Sequence, residues 1–225
     1  RSIAEMKKNI DECNVLMISG GFSAGDEPDG SGKFIANVLN NKDIADSVHA
    51  LLDRGGLILG ICNGFQALVK SGLLPYGRLG QVTKDSPTLF RNDINRHISQ
   101  IVTTRVGTTN SPWLSGFAVG DLHTIAVSHG EGKFVVNEEL AKELFANGQV
   151  AFQYVDPLEQ EPTMESPYNP NGSYYAIEGI ISKNGQILGK MGHTERYEGN
   201  LFKNIIDEGL EQPLFDNAVA YFRGE

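Results

Sequence analysis

The sequence predicts an α/β protein built on a mixed, mostly parallel sheet flanked by helices. Three observations carry that prediction. The runs Val15-Leu16-Met17-Ile18 and Leu57-Ile58-Leu59-Gly60-Ile61 have the unbroken hydrophobicity of parallel strands buried on both faces. Helical patterns lie between and after these runs, whereas the second half of the chain is richer in strands, which makes the sheet mixed. A length of 225 residues, 40% of them hydrophobic, with 26 glycines and 9 prolines, suits a substantial core and many tight turns.

The elements follow in order. Ile3 to Glu12 has amphipathic helical spacing and leads into the strand Val15–Ile18, which stops at Gly20-Gly21. A glycine- and acid-rich loop runs from Phe22 to Gly32. Helical patterns over Lys33–Leu39 and Ile44–Arg54 then end at Gly55-Gly56, a good stop signal. After the strand Leu57–Ile61, a helix begins near Phe65-Gln66-Ala67, with Gly72 as its cap. The β-branched, alternating residues of 98–106 predict a strand, and Leu122–Val127 predicts another. Asn137 is placed to cap a helix reaching Ala146. Val150–Val155 is a strand, and Asp156–Ser173 is a proline- and asparagine-rich excursion. Ala176–Ser182 and Gln186–Met191 form a hairpin through Asn184-Gly185, and Phe215–Phe222 closes the chain as a helix. Without a repeat, low-complexity tract or linker, residues 1–225 read as a single domain.

Composition narrows the function. A net charge of −9 disfavours an electrostatic grip on nucleic acid or on an anionic membrane surface. The sequence contains no apolar run of eighteen residues. Its two cysteines, Cys13 and Cys62, make no disulfide framework and fit a reducing, cytoplasmic setting.

The chemistry centres on Gly60-Ile61-Cys62-Asn63-Gly64-Phe65-Gln66. This stretch sets a thiol on a sharp turn between an apolar strand and a helix, with glycines two residues away on each side. Such an elbow exposes the sulfur at a helix N-terminus, where the dipole favours a thiolate. The competing reading is a buried core cysteine. A nucleophilic thiol needs an imidazole and a third group to orient it. Of five histidines, His49 reads as solvated helix surface, and His97 and His123 as structural. His129-Gly130-Glu131 and His193-Thr194-Glu195 each pair an imidazole with a carboxylate at i+2, and the spacing leaves both open. Mounting separates them. His193 ends a firm strand, which favours the His193–Glu195 pair. His129 sits in the glycine-rich turn Ser128-His129-Gly130-Glu131-Gly132, whose backbone N–H groups suit an anion better than a base.

Two other signals fail. Gly30-Ser31-Gly32-Lys33 lacks the spacing of a phosphate loop, Phe34 stands where a hydroxyl is needed, and Asp26, Glu27 and Asp29 would repel phosphate. The His-x-Glu pairs lack companion ligands at metal-site spacing, so no metal is assigned.

The ordered set Gly20-Gly21-Phe22-Ser23-Ala24-Gly25-Asp26, the Cys62 elbow, Ser128-His129-Gly130-Glu131-Gly132, Asn169-Pro170-Asn171-Gly172-Ser173 and His193-Thr194-Glu195-Arg196 resembles the class I, or triad, glutamine amidotransferases. Within them it is most similar to the glutaminase part of phosphoribosylformylglycinamidine synthase, and it spans most of the chain. The resemblance implies a flavodoxin-like three-layer fold. It implies that Cys62 attacks the glutamine carboxamide, that His193 and Glu195 complete a triad, and that the N–H groups of Gly21 and Asn63 form an oxyanion hole. Gln66 with Ser128, His129, Gly130 and Glu131 would bind the amino and carboxylate ends of glutamine. The released ammonia would pass to a synthetase domain or chain, where ATP and Mg act on formylglycinamide ribonucleotide, and this domain itself would need no cofactor. The alternatives are another triad amidotransferase, a γ-glutamyl hydrolase, or a non-catalytic docking or regulatory domain of the same fold.

Two departures from the family pattern stand out. Many relatives carry Pro-His-Pro-Glu where this sequence has Gly192-His193-Thr194-Glu195. The family's domain also opens with a strand–helix–strand unit of roughly 30 or more residues ahead of the strand matching Val15–Ile18. One helix precedes it here, so the sequence reads as an N-terminally truncated C-terminal fragment of the long fused enzyme. Such a fragment is expected to self-associate through uncovered sheet.

Overall fold

A computed structural model describes residues 2–23, 30–198, 201–202, 205 and 211–225. Helix α1 (Ser2–Glu12) leads into strand β1 (Val15–Ile18), and helices α2 (Lys33–Leu39) and α3 (Lys42–Asp53) precede β2 (Leu57–Ile61). Helix α4 (Asn63–Ser71) follows directly, then the single turn α5 (Leu73–Tyr76). Strands β3 (Thr88–Phe90), β4 (Ile98–Val106), β5 (Leu122–His129) and β6 (Lys133–Val135) come next, before helix α6 (Glu138–Ala146). Strands β7 (Val150–Tyr154), β8 (Ile177–Ile181) and β9 (Ile187–Lys190) and helix α7 (Leu214–Arg223) complete the order.

Seven strands form one sheet in the order β1-β2-β9-β8-β7-β4-β5. It is mixed, as expected, but the expectation of a mostly parallel sheet is corrected. Among the described residues only β1–β2 and β2–β9 pair in parallel, and the other pairings in this sheet are antiparallel. The reason lies in the connections. Parallel neighbours need a crossover, which the helices before and after β2 supply, whereas β8 and β9 are joined by a tight hairpin at Asn184-Gly185. The parallel part is the part that matters for chemistry, because β2 and β9 end side by side.

β2 is buried along its whole length, which is why its sequence is apolar at every position. Helix α4 lies tightly against it. A Cβ on Gly64 would fall on the Ile18 carbonyl oxygen, so only glycine lets the first turn of α4 approach the sheet this closely. Gly64→Ala is therefore expected to lower stability by about 1–3 kcal/mol, read as a shift in the urea midpoint at unchanged slope. An unmoved midpoint would show that the approach is slack.

Caps and turns follow their sequence signals. The Asn137 side chain accepts from the Leu140 N–H at 2.8 Å, and Gly72 ends α4 in the left-handed conformation. The expectation of strands buried on both faces holds for β2 but is corrected for β1, which is an edge strand with Val15 and Met17 37% and 39% exposed. The two-stranded β3–β6 sheet was not anticipated, because three-residue strands carry no usable periodicity. His49 is not a solvated surface residue; it is half-buried, and its Nε2 accepts from the Leu79 N–H at 3.2 Å. Among the described residues no helix is long and apolar enough to cross a membrane. The acidic positions Asp26, Glu27 and Asp29, and Ala24-Gly25 of the first glycine loop, lie outside the described residues.

Candidate active site

The sheet brings the ends of β1, β2, β5 and β9 to one place. Cys62 leaves β2 with its N–H bonded to the Lys190 carbonyl at 2.8 Å, and its own carbonyl accepts from Gln66 N–H at the start of α4. The backbone at Cys62 has φ 53 and ψ −109, outside the ordinary helical and extended regions, as a strand-to-helix elbow requires. The backbone N–H groups of Asn63 and Gly21 point at the sulfur. They favour the thiolate, but burial is the larger effect and pushes the thiol up to about 11. The expected thiolate preference of the helix N-terminus is thus outweighed, and the resting group is a neutral thiol. Its Sγ lies 3.7 Å from the Ser128 carbonyl oxygen.

His193 follows β9, and its N–H is fixed to the Ala126 carbonyl of β5 at 2.9 Å. Its Nδ1 is 2.5 Å from Glu195 Oε1, so the two side chains form one unit. Burial raises the Glu195 carboxyl, but the hydrogen bond and charge of His193, helped by Arg196, outweigh it and hold the group below its ordinary value. His193 Nε2 is buried and has no hydrogen-bond partner among the described residues. Gly20 packs between the imidazole and the thiol. A methyl there would lie 2.8 Å from His193 Cε1 and 3.2 Å from Cys62 Cβ, so these two groups are separated by little more than a missing side chain.

A pocket of about 80 Å³ collects Cys62, Gly21, Gln66, Ser128, His129, Gly130, Glu131 and His193. Asn63 reaches the site through its backbone. Gln66 Nε2 donates to the Glu131 carbonyl, tying α4 to the glycine-rich turn. The Glu131 carboxylate accepts the Ser31 N–H at 2.8 Å and pairs with Arg91 at 4.0 Å. Ser128 Oγ is 3.0 Å from His97 Nε2. The His129 ring turns into the interior, with Nε2 3.1 Å from Asn171 Nδ2, while its carbonyl accepts from Asn92. Among the described residues no group of three His, Cys, Asp or Glu side chains is arranged to hold a metal ion.

Sequence reasoning missed the supports of this turn. Asn92 holds the His129 carbonyl and the Gly132 N–H, and Asn171 Nδ2 holds the Gly132 carbonyl at 2.8 Å and the Tyr154 hydroxyl at 3.1 Å. Asn171 stands within the family-like segment Asn169–Ser173, and nothing in the sequence around Asn92 marks it. Their partners within the turn, His129 and Gly132, lie 37 to 42 positions along the chain, beyond any local pattern. His97 and Arg196 also line the pocket.

Burial lowers His129 to about 3 and His123 to about 4, so both stay neutral in the fold. An unfolded chain protonates them near 6.5, so the stability they contribute is complete above that pH and is lost as pH falls toward 3–4. We expect stability to drop by roughly 1.4 kcal/mol per pH unit for His129 below pH 6. Urea titrations from pH 7 to 4.5 should show a flatter decline in His129→Gln. Parallel declines would contradict burial of the neutral ring.

A strand-to-helix thiol beside a strand-end imidazole–carboxylate pair, on a mixed α/β sheet, is an arrangement suited to splitting an amide. Residues 1–222 match the CobB/CobQ-like glutamine amidotransferase domain. A phosphoribosylformylglycinamidine synthase subunit PurQ of Gloeobacter violaceus is 34% identical over 98% of this chain and 87% of its own length. The PurQ subunit of a Methanococcus maripaludis strain is 36% identical, over 96% of this chain and 84% of its own. The solved structure of PurLQS from Thermotoga maritima superposes with a TM-score of 0.68 at 26% identity, covering 94% of this chain and 81% of that one. The chain belongs to the glutamine amidotransferase family, in the branch of these PurQ subunits.

Proposed function

We propose that this chain hydrolyses glutamine to glutamate and ammonia through a thioester on Cys62. The ammonia serves an ATP-dependent synthetase partner that converts formylglycinamide ribonucleotide to formylglycinamidine ribonucleotide in purine biosynthesis. The observation that carries the site assignment is the pocket that Cys62, Gly21 and His193 share, with Glu195 bonded to His193 Nδ1 and the Asn63 N–H following the thiol at the start of α4.

His193 Nε2 takes the thiol proton as Cys62 Sγ attacks the carboxamide carbon. Glu195, already ionised, steadies the imidazolium that forms. The carbonyl oxygen becomes an oxyanion held by the Gly21 and Asn63 N–H groups, each such donor being worth about 3–4 kcal/mol in related sites. Collapse breaks the C–N bond, and His193 returns the proton to the departing ammonia. Water, deprotonated by the same imidazole, then cleaves the thioester and restores the thiol. Nucleophile, base and oxyanion donors are all groups of this chain, so ATP and Mg belong to the synthetase. Gln66 and the Ser128–Glu131 turn form the wall that receives the amino and carboxylate ends of glutamine. Because Glu131 already serves Ser31 and Arg91, its carboxylate shapes the turn.

The test is a reconstitution with the synthetase partner, ATP, formylglycinamide ribonucleotide and glutamine carrying heavy nitrogen in its amide. Heavy nitrogen in the amidine product is expected. Glutamate release without transfer to this acceptor, but with transfer to another, would favour a different amidotransferase.

A further inference from the structure

Behind the base lies a buried polar cluster that the mechanism above leaves without a role. Lys190 and Glu178 are both wholly buried, with Lys190 Nζ 3.7 Å from Glu178 Oε1. Removing two charges from water is costly, and such pairs seldom add net stability. Their hydrogen bonds show where the cost is directed. The three ammonium protons go to the Gly192 carbonyl at 3.1 Å, Thr194 Oγ1 at 3.1 Å and Gln212 Oε1 at 2.9 Å. Thr194 Oγ1, having accepted from lysine, donates to Gln212 Oε1 at 2.7 Å. Glu178 Oε1 accepts the Gly192 N–H at 2.5 Å. Phe152 presents its ring 5.2 Å from the ammonium.

The side chains of Lys190 and Glu178 bond to Gly192 and Thr194, the two neighbours of His193, and Gln212 bridges Lys190 and Thr194. We infer that Lys190, Glu178, Thr194 and Gln212 are positioning residues: they fix the turn from 192 to 195 so that the His193–Glu195 pair keeps its register against Cys62. The bond from the Gly192 N–H to Glu178 and the bonds of the Thr194 hydroxyl need groups that proline at 192 and 194 would lack, since proline has no N–H and no hydroxyl, whereas the carbonyl at 192 would remain. This chain therefore sets by buried charge a turn that ring closure can set covalently. The glutamine-binding wall stands on α4 and the 128–131 turn, outside the cluster. Disturbing the cluster is expected to slow the chemical step without weakening binding.

The inference rests on the glutaminase reading for its kinetic arm but not for its spectroscopic one. In the complex with the synthetase partner, Thr194→Val leaves the Lys190–Glu178 pair in place and removes only its link to residue 194. Glutamine-dependent kcat should fall by about 10- to 100-fold with KM for glutamine within about twofold, while Thr194→Ser keeps near-normal turnover. Lys190→Met should lose more. In parallel, the downfield proton resonance of the short His193 Nδ1–Glu195 bond should shift or broaden in Thr194→Val and Lys190→Met and persist in Thr194→Ser. The inference is overturned if that resonance stays in place in Thr194→Val, or if Thr194→Ser loses as much as Thr194→Val. Absence of glutamine hydrolysis in the unaltered complex would overturn the glutaminase reading instead, and the resonance would still decide this inference.

Discussion

Cys62→Ala in the complex with the synthetase partner should cut glutamine-dependent amidation by at least about 10³-fold, with ammonium-dependent amidation unchanged. The asymmetry follows from the site. In the proposed mechanism Cys62 supplies the atom that carries the acyl group, whereas externally added ammonia bypasses the step altogether. Cys62→Ser should be nearly as inactive. A hydroxyl is far harder to ionise than a thiol, and the site is already dry enough to push the thiol up to about 11. Loss of both activities together would indicate a folding or assembly defect. Retention of glutamine-dependent activity would remove Cys62 from the mechanism.

The second large effect concerns the base. His193→Ala is expected to lower glutamine-dependent kcat by about 10²–10⁴-fold, the usual range for general acid–base groups. Glu195→Gln should cost less, because the imidazole stays and only its orienting carboxylate charge goes. His129→Gln, the variant of the other His-x-Glu pair, should retain far more turnover than His193→Ala, since its ring is turned into Asn171 and serves the turn. If His129→Gln were as inactive as His193→Ala, the choice between the two pairs would need to be reversed. Both comparisons are steady-state assays on the complex with KM determined alongside kcat.

Much of this was legible in the residues. Val15–Ile18 and Leu57–Ile61 were readable to the residue, because unbroken apolar runs bounded by Gly or polar positions leave little choice of ends. Asn137 and Asn184-Gly185 were readable because cap and hairpin chemistry is local. The elbow at Cys62 was readable for the same reason. What escaped depends on distance along the chain. The antiparallel half of the sheet is set by which strands meet, and no single segment records that. Lys190 looks like an ordinary polar position at the end of a strand, yet its carboxylate partner twelve residues earlier makes it a core residue. The place of His97 beside Ser128 arises only once β5 pairs with β4, and the Asn92 and Asn171 supports only once the segments around residues 92 and 171 close on the turn at 129–132. The thiol's raised protonation constant was misjudged because helix dipoles are legible in sequence and burial is not.

We propose that the neutral, buried Cys62 thiol is activated on demand by the neighbouring His193 imidazole. This activation is tested most directly with a diazo-ketone analogue of glutamine applied to the complex at neutral pH. Label is expected on Cys62 alone, with none in Cys62→Ala and a markedly slower reaction in His193→Ala. Plain iodoacetamide should react sluggishly until the pH approaches 11. Labelling at an equal rate with and without the His193 imidazole, or label falling on a residue other than Cys62, would contradict it.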